Sequence, residues 1–325
     1  EQFTQVHNTK FDLVAELNWI EDLKIDINAN RVYSENFSEN FIITDSQYNS
    51  LSPNSFGNFA ISTILIKTSF QNSNENQSVT FDEFEENRLI IANRLSLIYS
   101  DTSGKLDQFG YPLGYGKNNQ AVLIPAFISA YSGKDPNSIS LSATRSTPLP
   151  NWSLQYSGLI KLEFFKNRFK RFSIGHSYRS SYTLNNFKSN LEYDSLDPDL
   201  KDSSGNFLNE ILYTNINLVE QFNPLLKIDM ELKNSIRLVV ALKKDRALSL
   251  SLDNNLLTET SGTDYSVGFG YRINDLKLRS GYGGSQTFSK GDLNIKADVN
   301  LRDNITIIRN LNISDNKVIA GQTMW

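Results

Sequence analysis

Two histidines, His7 and His176, and no cysteine are all that this 325-residue chain offers for the usual base and thiol chemistry. Nucleophilic catalysis needs a hydroxyl or thiol paired with a base that a third group orients. Ser173, Ser177, Ser180 and Ser181 lie near His176 along the chain, but serine is abundant and no nucleophile motif surrounds them. His176 reads as a plain strand histidine. Without cysteine there is neither a thiolate zinc site nor a disulfide framework. Asp194, Asp197, Asp199 and Asp202, just ahead of Ser203, Ser204 and Gly205, supply the hard oxygens that calcium takes. Their spacing lacks the closing Glu of an EF-hand loop, so a solvated loop is the better reading. No catalytic residue, cofactor or metal is assigned, and an enzyme is not expected.

The strand charges are more informative. Leu293, Ile295, Ala297, Val299 and Leu301 alternate with Asn294, Lys296, Asp298, Asn300 and Arg302. A period of two is the mark of a strand with unlike faces. Leu23/Ile25/Ile27/Ala29, Ile228/Met230/Leu232, Leu248/Leu250/Leu252 and Tyr265/Val267/Phe269/Tyr271/Ile273 repeat the pattern, and strands are expected over Phe11–Trp19, Gly57–Phe70, Phe172–Leu184 and Ile211–Phe222, roughly a dozen in all. Asp229, Glu231, Lys296 and Asp298 stand opposite the apolar face. In a porin-like barrel they would point into a wet lumen, because Lys or Arg facing lipid at the midplane costs ~2–4 kcal/mol. In a soluble sheet they would face solvent. Gly268 and Gly270 share their parity, leaving room for a helix or passing cargo, or marking a strand bend.

The totals leave a membrane barrel open. With 32 basic and 36 acidic residues the chain has no electrostatic reason to bind nucleic acid. No stretch approaches the ~20 apolar residues of a transmembrane helix, but a barrel strand needs only one apolar face. Ile20-Glu21-Asp22, Lys233-Asn234, Asn274-Asp275 and Arg302-Asp303-Asn304 read as tight turns, whereas Ser34–Phe56, 71–170 and Asp194–Glu210 read as long loops. Short turns on one side and long loops on the other suit an outer-membrane barrel. Trp19, Tyr33, Tyr99, Tyr182, Tyr193, Tyr213, Tyr271 and Tyr282, at strand ends, could form interfacial girdles.

Residues 71–170 break the β pattern. Thr80-Phe81-Asp82-Glu83 reads as a capping box with Val79 and Phe84 as its staple, opening a helix to about Tyr99 with Phe84, Ile91, Leu95 and Ile98 near one face. A second helix is expected over Gln120–Ser132, stopping at Gly133, with Pro125 starting its regular part or kinking it. A third, short one is expected over Gly158–Phe169. These helices carry Phe81, Phe84, Leu89, Ile91, Leu95, Ile98, Leu123, Ile124, Phe127 and Ile128, too many large apolar groups to leave in water. Phe84, Ile91, Leu95 and Phe127 are the candidates for packing the insert or gating a pore.

The segments RVYSENFSENF (31–41), NRLIIANRL (87–95), GYGKNNQAVLIPAFISAYSGK (114–134), LPNWSLQYSGL (149–159), GHSYRSSYT (175–183), VEQFNPLLKID (219–229) and ADVNLRDNITIIR (297–309) resemble, in order, the C-terminal part of the SprA/Sov family, the gliding-motility translocons of the type IX secretion system. The resemblance implies a very large single-chain barrel in the bacterial outer membrane, exporting folded proteins that carry a C-terminal secretion domain, gliding adhesins among them. It implies as partners a PorV-type shuttle barrel, a periplasmic plug protein, inner-membrane motor components and membrane lipid. The chain is much shorter than the family and lacks its final strands. The expected fold is therefore all-β with inserted helices: an antiparallel transmembrane β-barrel, here an incomplete fragment. Strands fill 1–70 and 171–325, and 71–170 form a helix-bearing insert in the lumen, in a cap or facing a partner. A surface binding or adhesin module and a plugged-barrel small-molecule transporter are the alternatives.

In this cysteine-free chain, single cysteines at Leu293, Ile295, Val299 or Leu301 should resist a water-soluble thiol reagent in the membrane, while cysteines at Asn294, Lys296 or Asp298 should react readily. Equal labelling of both sets would argue for a soluble sheet.

Overall fold

A computed structural model describes residues 1–98, 104–280, 287–313 and 316–324; Tyr99 and Tyr282 lie outside these. The chain order is β1 (Gln2–Leu17), β2 (Leu23–Thr44), β3 (Gln47–Ser62), α1 (Val79–Ile98), α2 (Gln120–Ser132), β4 (Asn151–Tyr156), a 3-10 turn at Gly158–Lys161, α3 (Glu163–Arg168), β5 (Phe169–Ser189), β6 (Ile211–Leu212), β7 (Asn215–Leu232), β8 (Ile236–Ser251), β9 (Leu256–Ser280), β10 (Thr287–Asn310) and β11 (Asn316–Met324). All eleven strands join one sheet, ordered β1-β2-β3-β5-β7-β8-β9-β10-β11, and every pairing is antiparallel. The fold is thus antiparallel β with inserted helices, with β1 and β11 at its edges.

β3 and β4 share one place in the wall. β2 pairs with β3 over Arg31–Thr44 and with β4 over Leu23–Asn28. On the other side, β5 pairs with β3 over Ser181–Lys188 and with β4 over Ile174–Tyr178. The chain runs down this slot, leaves it after Ser62, builds α1 and α2, and re-enters it at Asn151. The break is stitched by hydrogen bonds: Asn30 N donates to Ser62 Oγ (3.1 Å), Ser62 Oγ donates to Leu149 O (2.7 Å) and Leu149 N to Ser62 O (3.0 Å), and Ser180 N donates to Asn151 Oδ1 (2.8 Å). Backbone groups freed by the split are thereby satisfied.

The two helices pack on each other and on one face of the sheet. α2 is apolar nearly all round, as a wholly covered helix should be: from Val122 to Ser132 every residue is buried. The Asn119 side chain caps its first turn by accepting from Ala121 N (2.8 Å), and Gly133 ends it in the left-handed region at φ 61°. Pro125 lies inside, so the Ala121 carbonyl has no helical donor. Phe127 lies edge-on to Phe84 (centroids 5.7 Å) and contacts Tyr131 (5.0 Å).

Several expectations need correction. The cap of α1 is Ser78, whose hydroxyl accepts from Phe81 N (3.4 Å); Thr80 is already helical, and Val79 is exposed while Phe84 is buried, so no capping box or staple forms there. Leu89 and Ile98 face outward at 40% and 63% exposure. Ser34–Phe56 is a β2–β3 hairpin whose two-residue turn, Asp45-Ser46, has both φ angles positive (52° and 64°), as a type I′ turn requires. Asn274-Asp275 and Arg302-Asp303-Asn304 are interior to β9 and β10. Turns do occur at Glu21-Asp22 and Lys233-Asn234. β4, inside the segment expected to be an insert, is part of the wall.

Truncating the buried Phe127 to Ala should cost about 3–5 kcal/mol, read as faster amide exchange throughout α2. Leu89→Ala on the outer side should change stability by less than about 0.5 kcal/mol. Equal effects would overturn the packing described.

Candidate functional site: a two-faced wall and the seat of the insert

Register assigns every wall residue to a face. Four successive rows on one face are apolar: Leu226–Leu242–Tyr265–Leu301, Ile174–Ile228–Val240–Val267–Val299, Phe172–Met230–Leu238–Phe269–Ala297 and Ile236–Tyr271–Ile295. Leu23 and Ile25 of β2 and Leu17 of β1 continue them, while Ile27, Ala15, Leu13 and Phe11 lie higher on the same face. Much of this band is exposed, from 37% at Val240 to 67% at Val299. On β10 it runs from Leu293 to Leu301, matching the ~9–11 residues of a tilted membrane-crossing strand.

The other face is charged. Ser173–Asp229–Val239–Gly268–Asp298 and Arg171–Glu231–Arg237–Gly270–Lys296 are adjacent rows, so Asp229, Glu231, Lys296 and Asp298 share one patch. The Arg237 guanidinium holds both oxygens of Asp229 (3.1 and 2.6 Å), and Arg171 reaches one of them (3.3 Å). Glu231 takes Lys170 (3.2 Å). A Cβ on Gly268 would meet Asp298 Oδ1 at 2.6 Å, a contact that the exposed Asp298 side chain can relieve by turning aside.

Above the band is an aromatic and polar row, Ile27–Trp152–Tyr178–Phe222–Lys244–Thr263–Asp303. Trp152 stacks on Tyr178 (4.6 Å), and Phe70 of the insert reaches Phe222 (5.3 Å) under the Lys244 ammonium. His176 contacts Trp152 and Phe222, and its Nδ1 bonds Leu225 O (2.7 Å). Ser173 and Ser177 lie on the opposite face by parity, so no serine–histidine couple is assembled there. Past the lower rim lie Trp19, Phe164 and Phe165, with Phe165 edge-on to Phe172 (4.7 Å). Tyr182, expected in a girdle, instead lies two rows above Trp152 and donates to Ala143 O (2.8 Å); burial pushes its phenol well above the ordinary range, so it stays a neutral donor.

The next rows up carry buried charge on the apolar face. Glu220 and Arg246 are paired (3.1 Å) at 2% and 8% side-chain exposure, and Glu259 with Arg309 (3.6 Å) at 5% and 1%. The insert completes both. Arg246 donates to Thr68 O and Thr68 Oγ1 (3.0 and 2.9 Å), and Glu220 accepts from Ser69 Oγ (2.6 Å) and Tyr178 Oη (2.8 Å). Arg309 donates to Ser73 Oγ and Asn74 O (both 2.9 Å), while Ser73 Oγ donates to Glu259 (2.7 Å). The guanidiniums also lie over insert rings, Arg246 over Tyr131 and Arg309 over Phe81. Phe84, Ile91, Leu95 and Phe127, at 0%, 0%, 9% and 0% exposure, fill the core that this seat covers. The insert therefore lies on the same face as the apolar band, directly above it.

Sequence reasoning missed these four charges. The available signal was phase: each shares the parity of apolar neighbours, Glu220 with Leu218 and Phe222, Arg309 with Ile307. Among the described residues no cluster of three or more metal-type ligands exists, and the oxygens of Asp194 and Asp202 accept from Leu196 N and from Ser204 N and Asn206 N within their own loop. No protein-family model and no curated protein matches the sequence.

Replacing Arg246 with Met leaves Glu220 buried and unpaired, which costs about 3–5 kcal/mol. New tryptic cleavage between Lys67 and Arg94 should appear. Adding Glu220→Gln should restore part of the protection; no change in cleavage for the single variant would show that the pair does not hold the insert down.

Proposed function

We propose that this chain forms part of the wall of an outer-membrane β-barrel and, following its resemblance to the SprA/Sov translocons, part of the protein-conducting pore of the type IX secretion system. The observation that carries the membrane reading is the apolar band: register-matched rows, one face only, with aromatic residues at both limits and short turns below. Lipid suits that face, because a bilayer core demands paired backbone and apolar side chains. The charged face, with Asp229, Glu231, Lys296 and Asp298, then lines a wet passage for folded cargo. Catalysis has no part in this reading.

The geometry changes the role first expected of the insert. If the band faces lipid, the insert lies outside the passage, on the long-loop side of the bilayer. Phe84, Ile91, Leu95 and Phe127 then brace the wall from outside and gate nothing. The partners in this reading are those the resemblance implies: a PorV-type shuttle barrel, a periplasmic plug protein, inner-membrane motor components and secreted cargo.

Extraction and transport test the proposal together. The full-length protein should stay with the outer membrane through alkaline and urea washes, leave only with detergent, and show heat-modifiable migration. Its loss should stop export of cargo bearing the C-terminal secretion domain while sparing small-solute uptake. Release by urea alone would favour a surface binding module; a selective defect in solute uptake would favour a plugged transporter.

A further inference from the structure

Where the chain leaves the wall and returns, the segment 134–149 folds back over the break. It borders a half-open pocket of about 450 Å³ whose wall side is Ile61, Ser62, Leu149 and Tyr182, a size in the range of small-molecule sites. The insert side carries two cations, Lys134 and Arg145, with the hydroxyls of Ser142, Ser146 and Thr147; among the described residues no carboxylate lines it.

Arg145 differs from the more deeply covered arginines. Arg246 and Arg309 each face a carboxylate. Among the described residues Arg145 has none in ion-pairing range, and its buried Nε and one terminal nitrogen lack hydrogen-bond partners. The surrounding groups are cations and carbonyls. Arg31 Nε donates to Arg145 O (2.9 Å), Lys67 Nζ to Gly133 O (3.1 Å) and Arg94 to Ile139 O (2.9 Å). Asp135, the nearest acid in sequence, spends its carboxylate on Asn137 (2.9 Å). Desolvation, reinforced by Arg145 and Lys67, holds the Lys134 ammonium below its usual range. A half-buried guanidinium and an exposed ammonium without a counter-charge, ringed by hydroxyls, are complementary to a group with several anionic oxygens. A guanidinium fork and an ammonium suit phosphate especially.

Height identifies the source. Leu149 precedes Trp152 of the upper aromatic row by three residues, and Tyr182 lies four beyond Tyr178 of the same row. Four residues are roughly 13 Å along a strand, or about 10 Å along the membrane normal at barrel tilts. Headgroups occupy the ~5–8 Å beyond each side of the hydrocarbon, so the pocket opens just beyond them, within reach of a headgroup that extends toward it. We propose that the Lys134–Arg145 pocket binds a phosphate group, presented by the headgroup of an outer-membrane lipid. The lipid source rests on the proposed function; the phosphate chemistry does not.

The test uses full-length protein in detergent, with phosphatidylglycerol or uncharged diacylglycerol added and retained lipid read by native mass spectrometry. Phosphatidylglycerol should be retained at least about tenfold over diacylglycerol and be displaced by millimolar inorganic phosphate. A Lys134→Gln/Arg145→Gln variant should lose that retention about tenfold while keeping heat-modifiable migration. If that variant does not assemble, Arg145→Lys, which keeps the charge and loses the fork, should weaken retention several-fold. Phosphate bound by the wild type and not by the variant, with no lipid retained, would keep the site and replace the lipid by free phosphate. Phosphate binding by a protein that urea strips from the membrane would sink the membrane reading and keep the site. Equal retention of both lipids with no phosphate binding, or unchanged retention in the double variant, would overturn the proposal.

Discussion

A guanidinium cannot be covered on a strand unless a carboxylate and several oxygens come with it. Glu220–Arg246 and Glu259–Arg309 meet that condition because the segment Thr68–Asn74 supplies hydroxyls and carbonyls to the terminal guanidinium nitrogens, the two Nε–H groups alone being left without a partner among the described residues. The pairs are thus a lock with two halves, one in the wall and one in the insert. They also mark a change of surroundings. Below them the same face is Leu, Ile, Val and aromatic; above them it is covered by α1 and α2. Charge at this row is placed at the seam between the exposed apolar rows and the rows that the insert covers.

The split strand explains how so large an excursion leaves the sheet undisturbed. β3 and β4 occupy one slot, so the pairing of β2 and β5 is interrupted for only a few residues. Ser62, Asn151 and Leu149 fill that interruption with the hydrogen bonds a continuous strand would have made. Exit and return are adjacent, and the cost of closing that loop grows only with the logarithm of the insert's length. The insert is consequently a folded unit hung on a wall that is regular on either side of it.

Much of the wall was legible because alternation survives wherever the two faces meet unlike surroundings. Leu293 to Leu301 and Tyr265 to Ile273 read correctly for that reason, and α2 was delimited by Gly133. The β2–β3 hairpin was not legible: above the band both faces are wet, so Ser34, Asn36, Ser38 and Asn40 alternate with nothing distinctive and look like loop. Asn and Asp misled in the opposite direction. Asn304 is a wet-face strand residue, with Arg302 tying Asn304, Asp245 and Asp264 across strands (2.8, 3.1 and 3.1 Å), and Asp303 lies on the other face in the polar row above the apolar band. The side of the sheet taken by the insert could not be read locally, since it depends on which parity meets Phe59, Leu248 and Leu257 in three dimensions.

The hairpin of β2 and β3 has a mechanical consequence. β2 is 22 residues long, roughly 70 Å of extended chain. Its outer end, with the facing residues of β3, is exposed over 42–53 and behaves as a cantilever, free at the Asp45-Ser46 tip. Bending stress in a cantilever concentrates at its root, and stiffness there rises steeply with thickness. The insert is attached at that root, where β3 gives way to β4, and doubles the layer from one side only. Such a blade yields more easily at the tip than at the base, so that a load applied to the hairpin would be dissipated by flexure before it reached the apolar rows.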